Sequence, residues 1–239
     1  MWQAFKDSVK KLVFSVIKPP ETHNPSFSQA GEDAVIEFLF NGKNMLQPSY
    51  LELGVFMPVH GNNTYKFYLK GGKGVLVEAD PSLIANIRQQ RPNDTVLNIG
   101  VGLNNATSAD FYVFNLPAIS TFNKSEADAR VKSGAYQLLQ TISVPLKNIN
   151  QIIEENFKTC PDFLSIDIEG LDWEVLNALD TAKHPIPVIC AETCTYSENH
   201  IKPKDPRIEA LMLSKGYMVY ADTYINTIFV NEAWFQQTI

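Results

Sequence analysis

The chain has 239 residues, 45% of them hydrophobic and 19% charged, enough to bury a sizeable core and better suited to one domain of more than average size than to two. Twenty Lys and Arg against twenty-six Asp and Glu leave a net charge of −6, and no basic run is dense enough to track a phosphate backbone, which excludes nucleic acid as a partner. Cys160, Cys190 and Cys194 are odd in number and match neither zinc nor disulfide spacing, so they read as reduced, partly buried thiols in a reducing, cytoplasmic setting.

In "MWQAFKDSVKKLVFSVIKPP", Trp2, Phe5, Val9, Leu12, Val13, Val16 and Ile17 recur at helical spacing, and Lys6, Lys10 and Lys11 interrupt any continuous apolar run. This predicts an amphipathic helix, neither a signal peptide nor a membrane span. Its apolar stripe is expected to pack on the domain or on a second subunit of a homo-oligomer; the alternative is a basic helix lying on an anionic membrane surface. Pro19, Pro20 and Pro25 then forbid a continuing helix. Residues 1–27 are read as helix and linker, and residues 28–239 as the main domain.

Ser28 is the expected N-cap of a helix from about Gln29 to Phe40, which carries acids in its first turn. Next come "SYLELGV" as a strand, "GNNTYKFYLK" as a helix, "GVLVEAD" as a strand, "PSLIANIRQQR" as a helix with Pro81 at an early position, and "DTVLNIGVG" as a strand. Short apolar strands separated by helices predict an α/β fold whose parallel sheet is covered on both faces. "PDFLSIDIEG", "PVICAET", "GYMVYAD" and "YINTIFVN" supply further strands, with helices around Asp172 to Leu179 and Pro206 to Lys215. The last two strands are separated only by a turn and are expected to pair antiparallel.

The first strand ends with Glu52, and Gly54 follows where backbone must come close to a ligand; Gly61, Asn63 and Thr64 lead to the next helix. Glu78 lies 24 residues beyond Gly54, near the offset at which an acid accepts hydrogen bonds from ribose hydroxyls, so a nucleoside is the natural ligand. A dinucleotide enzyme needs G-x-G-x-x-G to seat a pyrophosphate, but here Val55 and Phe56 fill the tight part of the loop and the next glycine is Gly61. The looser loop with an acid in front suits S-adenosylmethionine, whose ammonium Glu52 is expected to hold.

These segments resemble the FkbM family of S-adenosylmethionine-dependent methyltransferases, over nearly all of Ser28 to Asn231. The resemblance is carried by "SQAGED", "YLELGV", "VEADP", "NIGVG", "VPLKNINQII" and, most specifically, "PDFLSIDIEGLDWEVL". Ser165 stands where the family often has lysine, and Asp172 where it often has glutamate. The resemblance implies a class I methyltransferase fold, a Rossmann-like doubly wound sheet of about seven strands, mostly parallel with an antiparallel last strand. It also implies cofactor contacts at Glu52, Gly54, Asn63, Thr64, Glu78, Ala79, Asp80, Gly100, Val101 and Asp167. The segment from about Ala109 to Val144 exceeds the needs of one crossover, so extra short strands and a lid are expected there, with Ser120, Thr121 and Phe122 near the acceptor and His200 as a further substrate contact.

Ligands collect at the carboxyl ends of strands in such sheets, which makes Asp167, Glu169 and Glu192 the candidate catalytic acids, Asp167 first as general base. Glu169 and Asp172 also suit the N-terminus of the following helix as charge complements. A divalent-metal site built on Asp167, Glu169, Glu192 and His200 is a further reading, though nothing fixes a third ligand, and no resident metal is expected. Among the histidines, His23, His60, His184 and His200, only His60 sits in the cofactor loop. The expected activity is O-methylation of a sugar, glycan or small metabolite; the alternatives are a nicotinamide-dependent oxidoreductase and a non-catalytic nucleoside-binding module.

Overall fold

A computed structural model describes residues 24–103, 106–168, 170–194 and 203–237. The amphipathic helix expected within residues 1–20, together with His23, Glu169 and His200, lies outside the described residues. The first described element, α1 (Glu32–Gly42), begins three residues later than the sequence suggested. The cause is Asp33, whose carboxylate accepts hydrogen bonds from Ser26 Oγ, Phe27 N and Ser28 Oγ and so folds residues 26–28 into a turn ahead of the helix. Ser28 Oγ in turn accepts from the backbone of Gly31 and Asp33.

Then follow β1 (Tyr50–Leu53), α2 (Tyr65–Leu69), β2 (Gly74–Val77), α3 (Pro81–Gln90), β3 (Thr95–Leu97) and β4 (Gly100–Val101). Asp80 caps α3 by accepting from Ser82 N, with Pro81 at the first helical position. The expected third strand is thus two pieces. Between them, Asn98 Nδ2 donates to the carbonyls of Glu78 and Ala79 at 2.9 and 3.0 Å, which diverts the side chain into the neighbouring turn and lets the backbone leave the sheet.

An excursion carries β5 (Ser108–Phe114), a 3-10 turn (Pro117–Ile119), α4 (Lys124–Ser133) and β6 (Leu138–Lys147). The chain closes with α5 (Ile149–Asn156), β7 (Phe163–Ile166), α6 (Asp172–Ala178), β8 (Val188–Glu192), α7 (Pro206–Ser214), β9 (Tyr217–Asp222), β10 (Asn226–Asn231) and α8 (Glu232–Gln236).

The main sheet has seven strands in the order β3-β2-β1-β7-β8-β10-β9. All neighbours from β3 to β8 are parallel, while β10 runs antiparallel to both β8 and β9. This is the class I methyltransferase arrangement, with the antiparallel last strand lodged inside the sheet. The excursion forms a second sheet in the order β4-β6-β5, so the extra strands expected between residues 109 and 144 are present.

Both faces of the main sheet are buried, which explains why its strands read as unbroken apolar runs. Leu51, Leu53, Val75, Val77, Leu164 and Ile166 pack on one face against Ile152 and Ile153 of α5, Val175 and Leu176 of α6, and Met212 of α7. Tyr50, Leu76, Phe163 and Val188 pack on the other against Ile36 and Phe40 of α1, Phe67 of α2 and Ile87 of α3. Among the described residues no helix is long and apolar enough to cross a membrane.

Candidate active site

The carboxyl ends of β1, β2 and β7 meet at one corner, and a glycine lets them do so. Gly54 has φ +82, and a Cβ added there would come within 1.9 Å of the Asp167 carbonyl oxygen. Only glycine suits both the left-handed backbone and the close approach. The corner is tied by Gly54 N donating to Val77 O at 3.0 Å and Asp167 N donating to Leu53 O at 3.1 Å.

The Glu78 carboxylate joins the loops after β1 and β2. It accepts from Phe56 N at 2.9 Å on one oxygen and from Asp80 N at 2.8 Å on the other, and is only 7% exposed. Burial pushes its pKa above the ordinary carboxylate range, against the lowering effect of those N–H groups. Each oxygen keeps lone-pair capacity for a further donor. Beside it, Asp80 Oδ1 caps α3, while Asp80 Oδ2 is buried and meets no protein donor.

These groups wall a cavity of about 180 Å³, together with Ala79, Gly100, Val101, Ser120, Thr121 and Asp167. Phe56, Leu83, Ile99, Phe111 and Phe122 make much of it apolar. Phe111 and Phe122 pack against each other with ring centroids 4.7 Å apart and planes tilted by 53°, and belong to the excursion that forms the roof. Ser120 Oγ accepts from Phe114 N; Thr121 Oγ1 accepts from Asn123 N and donates to Glu126 Oε2. Asp167 follows directly after β7 and is exposed on the cavity wall.

Three of the expected cofactor contacts point elsewhere. Side chains alternate along a strand, so with Leu51 and Leu53 facing α5 and α6, Glu52 shares the opposite face with Tyr50. There Glu52 accepts from Asn62 Nδ2 at 2.6 Å and Thr64 Oγ1 at 2.5 Å. Burial pushes Glu52 up to about 7, opposed by the attraction of Arg91. Arg91, fully buried, is ion-paired with Asp94 at 2.7 Å, donates to Thr64 Oγ1 and the Pro58 carbonyl, and lies over the rings of Tyr50, Tyr65 and Tyr68. Asn63 Nδ2 donates to Ser165 Oγ. Glu52, Asn63 and Thr64 therefore brace the loop from behind and do not line the cavity, which corrects the expectation that Glu52 meets the cofactor's ammonium. His60 is exposed and is not part of the cavity wall either.

A second cavity, of about 430 Å³, adjoins the first, and both include Gly170 in their walls. Glu192, at the end of β8, lines this second cavity and not the first, so it stands apart from Asp167. Asp172 lines it as well, near enough to Glu192 for the two charges to repel. The cap residue of α6 is Leu171; Asp172 instead accepts from Ile168 N and Gly170 N at 3.3 Å each, closing the turn after β7. Burial, with the Glu192 charge adding to it, pushes Asp172 up to about 7. Glu126, Arg130 and Trp173 also line this cavity. Among the described residues no group of three or more His, Cys, Asp and Glu is arranged to hold a metal ion.

The donor set of the first cavity fits S-adenosylmethionine. Glu78 can take two ribose hydroxyls, the orphaned Asp80 Oδ2 awaits a donor, Gly100 and Val101 bring backbone to the wall, and the aromatic roof suits a purine.

The family model described as Methyltransferase FkbM domain matches residues 53–219. A comparison with curated proteins gives no match. Among solved structures the chain is similar to a TehB-like SAM-dependent methyltransferase from Corynebacterium glutamicum, at 8% identity over 96% of this chain and 97% of that one, TM-score 0.44. It is similar also to the O-methyltransferase from Bacillus cereus in complex with SAH, at 15% identity over 93% and 96%, TM-score 0.42. A third is the magnesium protoporphyrin IX methyltransferase from Synechocystis PCC 6803 with bound SAM, at 8% identity over 83% and 76%, TM-score 0.43. The family match spans most of the chain, including every strand end that walls the first cavity, and this chain belongs to the FkbM family of methyltransferases, whose methyl donor is S-adenosylmethionine.

Proposed function

We propose that the chain moves a methyl group from S-adenosylmethionine to a hydroxyl of a sugar, a glycan or a small metabolite. The observation that carries this reading is the position of Asp167: a carboxylate exposed on the wall of the first cavity, its backbone pinned against Gly54. When bound, the cofactor supplies a sulfonium methyl open to in-line attack by oxygen. Glu78 holds ribose hydroxyls with the lone pairs left over from Phe56 N and Asp80 N, and so sets how deep the nucleoside sits. Asp167 orients the acceptor hydroxyl and takes its proton as the oxygen gains the methyl group. The roof residues Ser120 and Thr121 face the same space and restrict how the acceptor approaches.

The test is transfer from methyl-labelled S-adenosylmethionine to a panel of sugars, polyols and hydroxylated metabolites, with products read by mass and by the chemical shift of the new methyl. A label on oxygen is expected. Label on nitrogen or carbon overturns the hydroxyl reading; S-adenosylhomocysteine binding with transfer to no acceptor favours a non-catalytic nucleoside-binding module.

A further inference from the structure

Arg91 closes α3 at the end opposite Asp80 and lines neither of the two cavities. It is fully buried, and its guanidinium is divided between two sets of partners. One side is ion-paired with Asp94, through Nε at 2.8 Å and Nη2 at 2.7 Å. The other reaches the loop after β1, where Nη1 donates to the Pro58 carbonyl at 3.1 Å and Nη2 to Thr64 Oγ1 at 3.0 Å. A buried guanidinium is costly unless its donors are met, and half of those donors are met here by the cofactor loop.

Asn62 holds the same loop from its other end. Its Nδ2 donates to the Met57 carbonyl at 3.2 Å and to Glu52 Oε1 at 2.6 Å, while its Oδ1 accepts from Thr64 N and Tyr65 N at 3.0 and 2.8 Å. The two carbonyls held in this way, of Met57 and Pro58, directly follow Phe56. Phe56 has φ +45, a left-handed backbone that a bulky side chain rarely adopts and keeps only where neighbouring contacts enforce it. In that conformation Phe56 N donates to Glu78 Oε2 at 2.9 Å, and a change of φ would turn the peptide plane that carries this N–H. The partner of the other carboxylate oxygen, Asp80 N, belongs to the loop after β2.

We propose that Arg91 and Asn62 are positioning residues for the methyl donor: their hold on the Pro58 and Met57 carbonyls keeps Phe56 left-handed, and Phe56 N in turn aims the Glu78 carboxylate at the ribose. This rests on the assignment of Glu78 to the ribose hydroxyls. A lysine at position 91 keeps a positive charge beside Asp94, but a single ammonium cannot span Asp94, Pro58 and Thr64 as the planar fork does. A serine at position 62 can still accept from the backbone of Thr64 or Tyr65, but is too short to donate to the Met57 carbonyl.

The experiment uses the full chain, the single variants Arg91→Lys, Asn62→Ser and Glu78→Ala, and the two doubles that combine Glu78→Ala with each of the others. S-adenosylhomocysteine affinity is read by calorimetry, and the backbone amides of Phe56 and Asp80 by proton–nitrogen NMR. Arg91→Lys and Asn62→Ser are each expected to weaken S-adenosylhomocysteine by about fivefold or more. On the Glu78→Ala background the same changes are expected to cost about twofold or less, because the carboxylate they help to aim is gone. The Phe56 amide proton is expected to move to higher field in both single variants as it leaves the carboxylate, while the Asp80 amide stays in place. Lost stability by itself produces neither the coupling nor the selective move of Phe56. If Arg91→Lys does not fold, Asn62→Ser, which keeps every charged side chain, carries the same test.

If S-adenosylhomocysteine fails to bind the wild type, or binds Glu78→Ala as tightly, the ribose assignment falls and this inference with it. If both of those hold, but the Arg91 and Asn62 variants bind like the wild type, or their losses add in full to that of Glu78→Ala, or the Phe56 amide does not move, the positioning role alone is overturned.

Discussion

Removing the Glu78 carboxylate tests the ribose assignment and the architecture together, because one side chain serves both. In Glu78→Ala the N–H groups of Phe56 and Asp80, now bonded at 2.9 and 2.8 Å, lose their acceptor in a region where Glu78 itself is 7% exposed. Each unpaired donor costs about 1–3 kcal/mol, so a loss of about 2–4 kcal/mol in folding stability is expected, part of it returned because a buried charge is gone. The ligand loses a charged acceptor for its hydroxyls as well, about 1.5–3 kcal/mol, or roughly ten- to a hundredfold in affinity. Glu78→Gln keeps one acceptor oxygen and the shape, and is expected to fall between the two.

Titration with S-adenosylhomocysteine, at several pH values and well below the melting temperature, reads the affinity term apart from the stability term. Since burial raises the Glu78 pKa and hydroxyls donate best to the ionised form, wild-type affinity should be full above that raised pKa and fall as pH drops through it. Glu78→Gln should lack this fall. A folded Glu78→Ala with unchanged affinity, or a Gln variant with the wild-type pH profile, refutes the assignment.

Asp167→Asn keeps the shape but cannot take a proton, so native stability and cofactor affinity with a turnover loss of about 10²–10⁴ are expected on a true acceptor; normal turnover per folded molecule would move the base elsewhere. Gly54→Ala forces a left-handed conformation and a backbone collision with Asp167, for a loss of at least about 2 kcal/mol in chemical denaturation; wild-type stability would contradict the corner geometry. For Asp172 the folded pKa of about 7 stands above the ordinary 3.8, so the fold binds this proton more tightly than the unfolded chain does. Its stabilising effect is complete below about 4 and is lost as pH climbs to about 7. Melting curves should therefore show Asp172→Asn gaining on the wild type over that interval, and a constant gap would rule the acid out as the source.

The parts of the site that were legible in the sequence are those set by local geometry. Gly54 and Glu78 each follow an apolar strand, so spacing located them, whereas Asp80 entered only through the family resemblance and its cap on the helix that Pro81 begins is a feature of the fold. The direction of Glu52 was legible too, since alternation with Leu51 and Leu53 turns it away from their face, but its place ahead of Gly54 drew the reading toward the ligand. Asn98 was hidden because "NIGVG" is apolar enough to pass for strand, and only a side-chain bond to the preceding turn breaks it. The nearness of Asp172 to Glu192, and the lining of the second cavity by Glu126, Arg130 and Trp173, depend on α4, α6 and β8 coming together in space. No periodicity within any one segment records that. The "NKSE" run shows a cap at Asn123, which accepts from Ser125 N and Glu126 N, and says nothing of the cavity its helix faces.

The excursion from the main sheet begins and ends at one place, because Gly100 and Val101 pair with Leu146 and Lys147. Whatever length of chain lies between those two pairs, its ends stay adjacent strands, and loop closure adds little cost as that length changes. The roof is thus an exchangeable module seated on a fixed socket. A change of length or sequence between those pairs can reshape the roof, and with it the space offered to the acceptor, without moving Gly54, Glu78 or Asp167. The same insert carries Phe111 and Phe122 of the first cavity, so a change in it reaches the donor pocket's roof as well as the acceptor's approach.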